Sequence, residues 1–319
     1  MSKDPFLSIC ILTYNRKTTL QKALESILLQ VETVDDFEVV VSDNASEDGT
    51  DRFMRDYVSL HPKVRYYRNE VNSGFDGNVV KSLERACGEY VALFSDDDVA
   101  PAGYFHAIAE RLRLKKPTIL YVNHQPLSEN LQSDIKKWVS PIFYKEYSDG
   151  AEYITSVGLG FISSLILRRQ QALLFLNEVN HGAGCAHLDI AFSMALSCPG
   201  PFIYDGNIGV FARRDEGGGC ILIQGCVNIA KLYKRLLERN LIPRPLVDRW
   251  IGQQLMNPIP KHVLHSRARG RGEYPLMDMM KLYGQYWQFY VLVAPIYLIP
   301  HWVCRCAYFL RKAILSKRS

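Results

Sequence analysis

The feature that most constrains the fold is a regular alternation of short apolar runs and amphipathic helical segments over the first hundred residues. The apolar runs lie at residues 7–12, 38–42 and 64–68, and a fourth begins at Tyr90. Runs of this length and composition are typical of strands that are buried on both faces. Strands that alternate with helices through short loops predict an α/β fold, with a mainly parallel sheet and helices on both faces. The face of the first predicted helix consists of Leu20, Ala23, Leu24, Ile27 and Leu28.

Polar residues follow each predicted strand. Ligands of parallel α/β sheets bind beyond the carboxyl ends of the strands, so these loops are expected to meet at one edge. The chain has no Gly-x-Gly-x-x-Gly after its first strand and no Gly-Lys-Ser/Thr loop, which argues against the usual dinucleotide and phosphate-loop folds. The candidate ligand-binding residues are Thr13, Tyr14, Asn15, Arg16, Asp43, Asn44, Asn72, Gly74, Asp96, Asp97 and Asp98.

The fourth strand ends in three consecutive acids, Asp96 to Asp98. Adjacent carboxylates repel one another, and a divalent cation among them would offset that repulsion. Hard oxygen ligands favour Mg²⁺ or Mn²⁺ over zinc. The alternative is a solvated acidic turn that caps the helix predicted near Pro101, where Asp is also favoured.

Composition and charge place the chain among globular proteins with a basic end. Its 319 residues are 48% hydrophobic and 22% charged, enough for one large core or two smaller ones. The eight cysteines show no metal-type spacing and are expected to be reduced. The net charge is +5, and residues 261–319 hold ten Lys or Arg against two acids. This segment is also rich in apolar and aromatic residues, which favours a membrane surface over nucleic acid as its partner.

An uncharged run from Leu282 to Cys304 lies within this basic segment. The run is long enough to span a bilayer, but it contains two glutamines and two prolines and has positive charge on both flanks. We therefore expect an in-plane or re-entrant attachment; the alternative is docking against the rest of the protein or an oligomer partner. The face of the interfacial helix predicted next consists of Trp302, Cys306, Phe309, Leu310, Ala313 and Ile314.

Four motifs in order carry a resemblance to a known family. They are Thr-Tyr-Asn-Arg after the first strand, Ser-Asp-Asn-Ala-Ser-x-Asp-Gly-Thr after the second, Asn-x-Gly before the third helix and Asp-Asp-Asp after the fourth strand. Over residues 6–215 the chain resembles the family-2 glycosyltransferases of the GT-A fold, and within them bacterial O-antigen sugar transferases, including the abequosyltransferase-like group. The resemblance implies a nucleotide-sugar donor, a divalent metal and inversion at the anomeric carbon. By the family's pattern Asp96 faces ribose or sugar and Asp98 binds the metal; which two of the three acids hold it stays open, and Asp96 is the second candidate.

The candidate donor residues have physical roles of their own. Tyr14 is suited to stack on a nucleobase, and Asp43 can accept a hydrogen from a pyrimidine edge or satisfy backbone donors in its turn. Arg16 and the following helix start offer positive charge to a phosphate. Arg213 and Arg214, before three glycines, can stabilise a departing diphosphate in a closing loop. The alternative for this pair is a solvated surface turn.

The residues after the predicted strand at 161–167 supply the acceptor half. Attack of an acceptor hydroxyl at the anomeric carbon needs a base, and a carboxylate at the start of the helical run 190–196 fits that role and the family's position for it. Asp189 is the candidate, and capping of the helix is its alternative role. His187 is the second-choice base.

These patterns and the resemblance together imply a GT-A domain at residues 1–215, with a nucleotide half at 1–100 and an acceptor half at 101–215, followed by a helical, membrane-associating region at 216–319. The expected activity is inverting, metal-dependent transfer from a nucleotide-sugar donor to an undecaprenyl-diphosphate-linked oligosaccharide in O-antigen (lipopolysaccharide) synthesis, at the cytoplasmic face of the inner membrane. The alternatives are a noncatalytic assembly subunit and a nucleotidyltransferase, although the latter's Gly-rich basic loop is absent near the start.

Overall fold

The computed structural model describes residues 4–31, 36–126, 143–212, 219–270, 274–306 and 308. It divides into two compact units, Met1–Arg214 and Asp215–Ser319.

The described part of the first unit forms an eight-stranded sheet. Its strands are β1 (Leu7–Thr13), β2 (Phe37–Asp43), β3 (Val64–Arg68), β4 (Tyr90–Ser95), β5 (Ile119–Pro126), β6 (Tyr144–Tyr147), β7 (Leu165–Arg168) and β8 (Phe202–Ala212). Their order in the sheet is β3-β2-β1-β4-β7-β5-β8-β6. The strands β1 to β4 are parallel where they pair, β5 and β8 are parallel, and β7 and β6 join as antiparallel strands. The mainly parallel sheet is therefore confirmed.

Helices cover this sheet. The helices are α1 (Lys17–Val31), α2 (Thr50–Leu60), α3 (Gly74–Arg85), α4 (Tyr104–Lys115), α5 (Gly150–Val157), α6 (Arg169–Ala172) and α7 (Ala186–Ser197), with short 3₁₀ turns at Ile162–Ser164 and Leu173–Glu178. The five apolar residues predicted as the face of α1 are all buried. This face joins one core cluster with alternate residues of β1, β2 and β4 and with α4. Every residue of β1 and β2 is buried, which explains their nearly continuous apolar runs.

The strand register brings the polar loops to one edge. Thr13 lies opposite Asp43 across β1 and β2, and Asp43 lies opposite Arg68 across β2 and β3. On the other side of β1, Leu12 lies opposite Ser95, the residue before the acidic triplet. The meeting of these loops at the carboxyl edge follows from this register.

The segment predicted as a strand at 161–167 differs in the structure. Its first part is the 3₁₀ turn, and only Leu165–Arg168 is extended, antiparallel to β4 and β5. The physical reason is Ser163, whose hydroxyl accepts a hydrogen bond from the Ser95 backbone and donates one to Asp98. These bonds turn the segment towards the edge of the sheet.

The second unit is helical in its described residues. Its elements are α8 (Gly219–Glu238), α9 (Arg244–Met256), α10 (Pro258–Arg269), α11 (Leu276–Tyr283), a π-helix (Phe289–Val293) and α12 (Ala294–Leu298), with further helix at 301–306. The uncharged run from Leu282 to Cys304 is not one continuous helix: helical structure is interrupted after α11 and again at Ile299 and Pro300. Across the described ranges we find no helix with the length and apolar character needed to cross a membrane. The predicted interfacial face beyond Cys306 lies outside the described residues.

Candidate active site

The loops after β1 and β2 are joined by hydrogen bonds. Asn15 has a left-handed backbone (φ 53°), and its N–H donates to Ser46 Oγ at 2.8 Å. Its side-chain Oδ1 accepts from the Glu47 N–H at 2.7 Å. The carboxylate of Asp48 accepts from the Lys17 N–H at 2.9 Å and so satisfies a free donor at the start of α1. The first two motifs thus form one connected surface.

Asp43 is fully buried at the end of β2. Its Oδ1 accepts from the N–H and hydroxyl of Ser46, at 3.0 and 2.5 Å, and its Oδ2 accepts from the Tyr66 hydroxyl at 2.6 Å. Arg68 Nε lies 3.9 Å from the same Oδ2. Burial, with the bond to Asp43, raises the pKa of Tyr66 well above its usual value, so this hydroxyl stays a donor. These contacts match the structural role considered for Asp43, and its contact with a nucleobase stays a prediction.

Asn44 connects the loop after β2 to the loop before α3. Its Nδ2 donates to Asn72 Oδ1 at 2.7 Å and to the Gly74 carbonyl at 3.0 Å. Its Oδ1 accepts from Asn69 Nδ2 and from the N–H and hydroxyl of Ser73, at 3.0 to 3.1 Å. Gly74 has a φ of 70°, which glycine adopts without strain. Asn72 and Gly74 therefore shape the wall of the site through Asn44.

Asp96 is a buried carboxylate beside the end of β1. Arg16 Nη1 lies 3.3 Å from Asp96 Oδ1 and 2.8 Å from Asp97 Oδ2. Burial raises the pKa of Asp96 to about 6, although the neighbouring Thr13 hydroxyl and Arg16 favour its charged form. Its Oδ2 is enclosed and has no well-formed hydrogen bond within the described part of the chain. Asp96 thus has an incompletely compensated charge at neutral pH.

Asp97 and Asp98 are fixed by serines. Asp97 Oδ1 accepts from Ser95 Oγ at 2.6 Å, and Asp98 Oδ2 accepts from Ser163 Oγ at 2.5 Å. The residue before α4 is Gly103, with a φ of 78° and no side chain to cap the helix. The alternative of a helix-capping acidic turn does not describe these contacts.

The residues at this edge fit a divalent cation in a limited way. Among the described residues, no group of three or more His, Cys, Asp or Glu side chains is arranged to hold a metal ion. Mg²⁺, however, is commonly held by one or two carboxylates together with substrate phosphates and water. Asp96 and Asp98 both carry carboxylate oxygens of the hard kind that such an ion takes, and the enclosed Oδ2 of Asp96 needs a compensating charge. The donor set therefore fits a cation that binds together with a diphosphate.

Asp189 lies buried in the first turn of α7. Its Oδ2 accepts from the Asn180 N–H at 3.0 Å. Burial lowers the pKa of the nearby His187 to about 4, so this imidazole is neutral at pH 7. The His187 ring meets Phe75 edge-on, with centroids 5.6 Å apart. Both candidate bases thus lie in the packed start of α7.

A further contact between the two halves of the site is made by Asp76, which the sequence analysis missed. Its carboxylate accepts from the N–H groups of Gly182, Gly184 and Ala186, each at 2.8 Å. An acid in the first turn of a helix is common, so its only sequence signal did not distinguish it. Asp76 follows the Asn-x-Gly motif and binds the loop before Asp189.

The remaining predicted site residues are Tyr14, Arg213 and Arg214. Tyr14 is 44% exposed, as a residue that stacks on a nucleobase must be. Arg213 and Arg214 lie outside the described residues.

Comparison with known proteins identifies the class. The model of glycosyl transferase family 2 matches residues 8–173, and the chain belongs to this family. Among curated relatives, the abequosyltransferase RfbV of Salmonella typhimurium is 41% identical over 93 residues, which is 29% of this chain and 28% of that protein. A GalNAc(5)-diNAcBac-PP-undecaprenol beta-1,3-glucosyltransferase of Campylobacter jejuni is 32% identical over 108 residues, which is 34% of either protein.

A solved structure supports the fold. The mannosyltransferase PcManGT of Pyrobaculum calidifontis, in complex with GDP-Man and Mn²⁺, superposes with a TM-score of 0.58 over 98% of this chain and 87% of that one. At 18% identity this likeness shows the GT-A-like α/β fold alone. The chain spans about a third of the length of the curated relatives it matches.

Proposed function

We propose that this protein transfers a sugar from a nucleoside-diphosphate donor to an acceptor hydroxyl with inversion at the anomeric carbon. The observation that carries the proposal is Asp96, whose buried carboxylate has a pKa raised to about 6 and lies beside Arg16 at the carboxyl edge of the sheet. Buried charges that lack full compensation cost stability and are typical of functional sites. A donor diphosphate with a cation would supply the missing compensation. Family membership supports the same reaction.

The donor half of the site is proposed to lie within residues 1–100. Tyr14 stacks on the base, and Arg16, now paired with Asp96 and Asp97, turns towards a phosphate when the donor binds. Thr13 and Asn15 form the floor. Asn44, Asn72 and Gly74 form a fixed wall. Contact of the base with Asp43 requires that the Tyr66 hydroxyl move aside, because that hydroxyl now occupies Asp43 Oδ2.

The acceptor half of the site is proposed to lie within residues 101–215, with Asp189 as the base. Asp189 takes the proton of the acceptor hydroxyl while the acceptor oxygen attacks the anomeric carbon from the face opposite the diphosphate. The bond from that carbon to the diphosphate oxygen breaks, and the oxygen leaves with the electron pair. Asp96 and Asp98 would hold Mg²⁺ or Mn²⁺, which supplies positive charge to the leaving diphosphate. Arg213 and Arg214 are proposed to add to this charge.

We propose a lipid-linked oligosaccharide as the acceptor, as in O-antigen synthesis, at the cytoplasmic face of the inner membrane. The name of the Campylobacter relative includes undecaprenol, which supports an acceptor of this class. The uncharged run offers an exposed apolar and aromatic surface: Trp287 is 65%, Leu298 81% and Trp302 70% exposed, and Lys281 and Arg305 flank the run. Aromatic and basic residues together favour an anionic membrane surface. We therefore propose in-plane attachment by residues 216–319, with re-entry as the alternative.

Release of nucleoside diphosphate tests the activity. Purified protein is incubated with UDP-, GDP-, CDP- and dTDP-sugars, Mn²⁺ and a lipid-linked acceptor extract. The expected result is acceptor-dependent release with one nucleotide class, and an Asp189→Asn rate lower by about 1,000-fold. The matched control is Asp149→Asn, an acid at the start of α5 whose capping role asparagine retains. Nucleotide binding without turnover in the wild type would instead indicate the noncatalytic alternative.

Flotation with lipid vesicles tests the membrane attachment. Wild-type protein should float with vesicles that contain phosphatidylglycerol, and the double variant Trp287→Ala/Trp302→Ala should lose most of this binding. The control variant Leu29→Ala/Leu174→Ala changes two other exposed apolar side chains of the chain. Equal flotation of both variants, or none by the wild type, would contradict the attachment.

A further inference from the structure

Asp76 forms a three-way anchor for the loop before α7. Its Oδ2 accepts from the N–H groups of Gly182 and Gly184, and its Oδ1 accepts from the Ala186 N–H, all at 2.8 Å. The side chain is buried. Ala186 is the first residue of α7, so the anchor reaches the start of the helix that carries Asp189. One carboxylate thus binds the N–H groups of three alternate residues between Gly182 and the start of α7.

The backbone of the loop explains why an anion is needed there. Gly182 and Gly184 both have left-handed backbones, with φ of 87° and 68°. Their N–H groups turn inward to a shared point, as in the anion-binding concavities that turn backbones form. A carboxylate at this point satisfies all three N–H groups, whereas a neutral side chain with a single acceptor oxygen cannot. Asp76 therefore specifies the shape of the loop.

Residues 74–76 contact both the proposed donor-binding wall (Asn44, Asn72 and Gly74) and the start of α7, the helix that carries Asp189. Asp76 follows closely on Gly74, whose carbonyl accepts from Asn44. Its neighbour Phe75 packs edge-on against His187 in the first turn of α7. Adjacent residues of α3 thus hold the start of α7 at two points, by hydrogen bonds and by ring packing. The geometry of Asp189 depends on the helix that begins there.

We propose that Asp76 is a positioning residue, which places Asp189 relative to the donor-binding wall without contacting substrate. This inference rests on the proposed function, because it assumes that Asp189 is the base. A base displaced by about 1 Å can lose about 100-fold in rate, while donor binding, which uses other side chains, is retained. Loss of the Asp76 carboxylate should therefore lower kcat far more than it changes donor affinity.

The decisive experiment compares Asp76→Asn with Asp51→Asn. Asp51 is the matched control: it is the acid in the first turn of α2, and it pairs with Arg55 at the surface. The amide of Asp76→Asn keeps one acceptor oxygen and turns an NH₂ group against a backbone donor. The expected kcat is lower by about 100-fold, with donor KM and the Kd for the nucleoside diphosphate within about threefold of wild type. Asp51→Asn should match wild type in all three quantities.

Two results would overturn the inference. One is an Asp76→Asn variant whose kcat matches that of Asp51→Asn; the other is a parallel loss of kcat and nucleotide affinity, which indicates a general structural role. If Asp76→Asn does not fold, Asp76→Glu, which keeps both acceptor oxygens on a longer chain, is judged by the same criterion. A wild type that binds nucleotide but transfers no sugar to any acceptor would overturn the proposed function itself, which separates the two failures.

Discussion

Two parts of the same sheet edge differ in how well their polar groups are compensated. In the loops after β2 and β3, which we call the scaffold edge (residues 43–50 and 69–74), Asp43 and Asn44 bind donors and acceptors of neighbouring residues through all their side-chain polar atoms. In the loop after β4, which we call the acidic edge (residues 96–98), Asp96 is buried with an enclosed oxygen and a pKa raised to about 6.

Polar residues that follow neighbouring strands at the same edge of a sheet can therefore have opposite effects on stability. A saturated buried network stabilises the fold, since each of its groups would cost free energy if left unpaired. An undercompensated carboxylate lowers stability and is suited to bind a ligand that brings positive charge. Substitutions at the two edges should therefore have opposite effects on stability, and only the acidic edge should be required by the chemistry itself.

The largest effect is expected from Asp98→Asn at the acidic edge. Loss of a proposed metal ligand should lower the transfer rate by about 1,000-fold, because charge on the leaving diphosphate is no longer stabilised. Nucleoside-diphosphate release in saturating Mn²⁺ measures the rate. Asp36→Asn, which alters a surface carboxylate paired with Arg113, is the control and should retain full activity. An Asp98→Asn rate near that of the control would remove Asp98 from the site.

At the scaffold edge, Asn44→Ala should lower the free energy of unfolding by about 2–4 kcal/mol, because it leaves several buried polar groups without hydrogen-bond partners. Urea denaturation measures the difference. Asn207→Ala is the matched control, since Asn207 is exposed and donates to Asp205, two residues before it. A cost below about 0.5 kcal/mol for Asn44→Ala, the range of surface changes, would show that the scaffold edge is not a cooperative network.

Asp96→Asn should stabilise the metal-free protein by up to about 3 kcal/mol at pH 7, while abolishing transfer. The pKa of Asp96 is higher in the folded protein than in the unfolded chain, where it is about 4. The stability that the wild-type protein has with Asp96 protonated is therefore fully present below about pH 4 and is lost as the pH rises through about 6. The difference in the free energy of unfolding between Asp96→Asn and wild type should therefore grow between about pH 4 and about pH 6. Urea midpoints in EDTA at pH 4, 5, 6 and 7 measure it, and a gap independent of pH would contradict the raised pKa.

The smallest effect, and one of opposite sign, is expected at Asp48 of the scaffold edge. Although partial burial works against it, the Thr50 hydroxyl and the Lys17 N–H hold the pKa of Asp48 below its usual value. Its contribution is present above the unfolded pKa and is lost as pH falls through the lowered one. Asp48→Ala should cost up to about 1 kcal/mol at pH 7, and Asp48→Asn, which keeps an acceptor, less. Equal costs in thermal unfolding would contradict the capping role.

The sequence predicted the half of the molecule whose contacts are local or periodic. The strands β1 to β4 and the buried face of α1 follow from apolar runs and helical spacing, because a parallel sheet and an amphipathic helix each impose a period on the chain. The common edge of the loops followed from topology. The family followed from four motifs in order.

The rest depends on pairs that are distant in sequence. Asp76 binds Gly182 to Ala186, and Ser163 binds Asp98, across separations for which no periodic pattern exists. The raised pKa of Asp96 depends on burial by many side chains. Strands β5 and β6 were not predicted, because the apolar run of β5 is only four residues long (residues 119–122) and β6 has four residues in all. The two prolines in the uncharged run indicated that it does not form one continuous helix, but they did not predict every residue at which the helix is interrupted.

Metal-dependent binding of the donor nucleotide is measured by calorimetric titration of the wild type and Asp98→Asn with UDP, GDP, CDP and dTDP, in Mn²⁺ and in EDTA. One nucleotide is expected to bind the wild type at least about tenfold more tightly in Mn²⁺, because the acidic edge and the diphosphate share the cation. Asp98→Asn should lose this difference. Binding of no nucleotide by the wild type, or equal affinity in Mn²⁺ and EDTA, would contradict the assignment of this edge as a metal-dependent donor site.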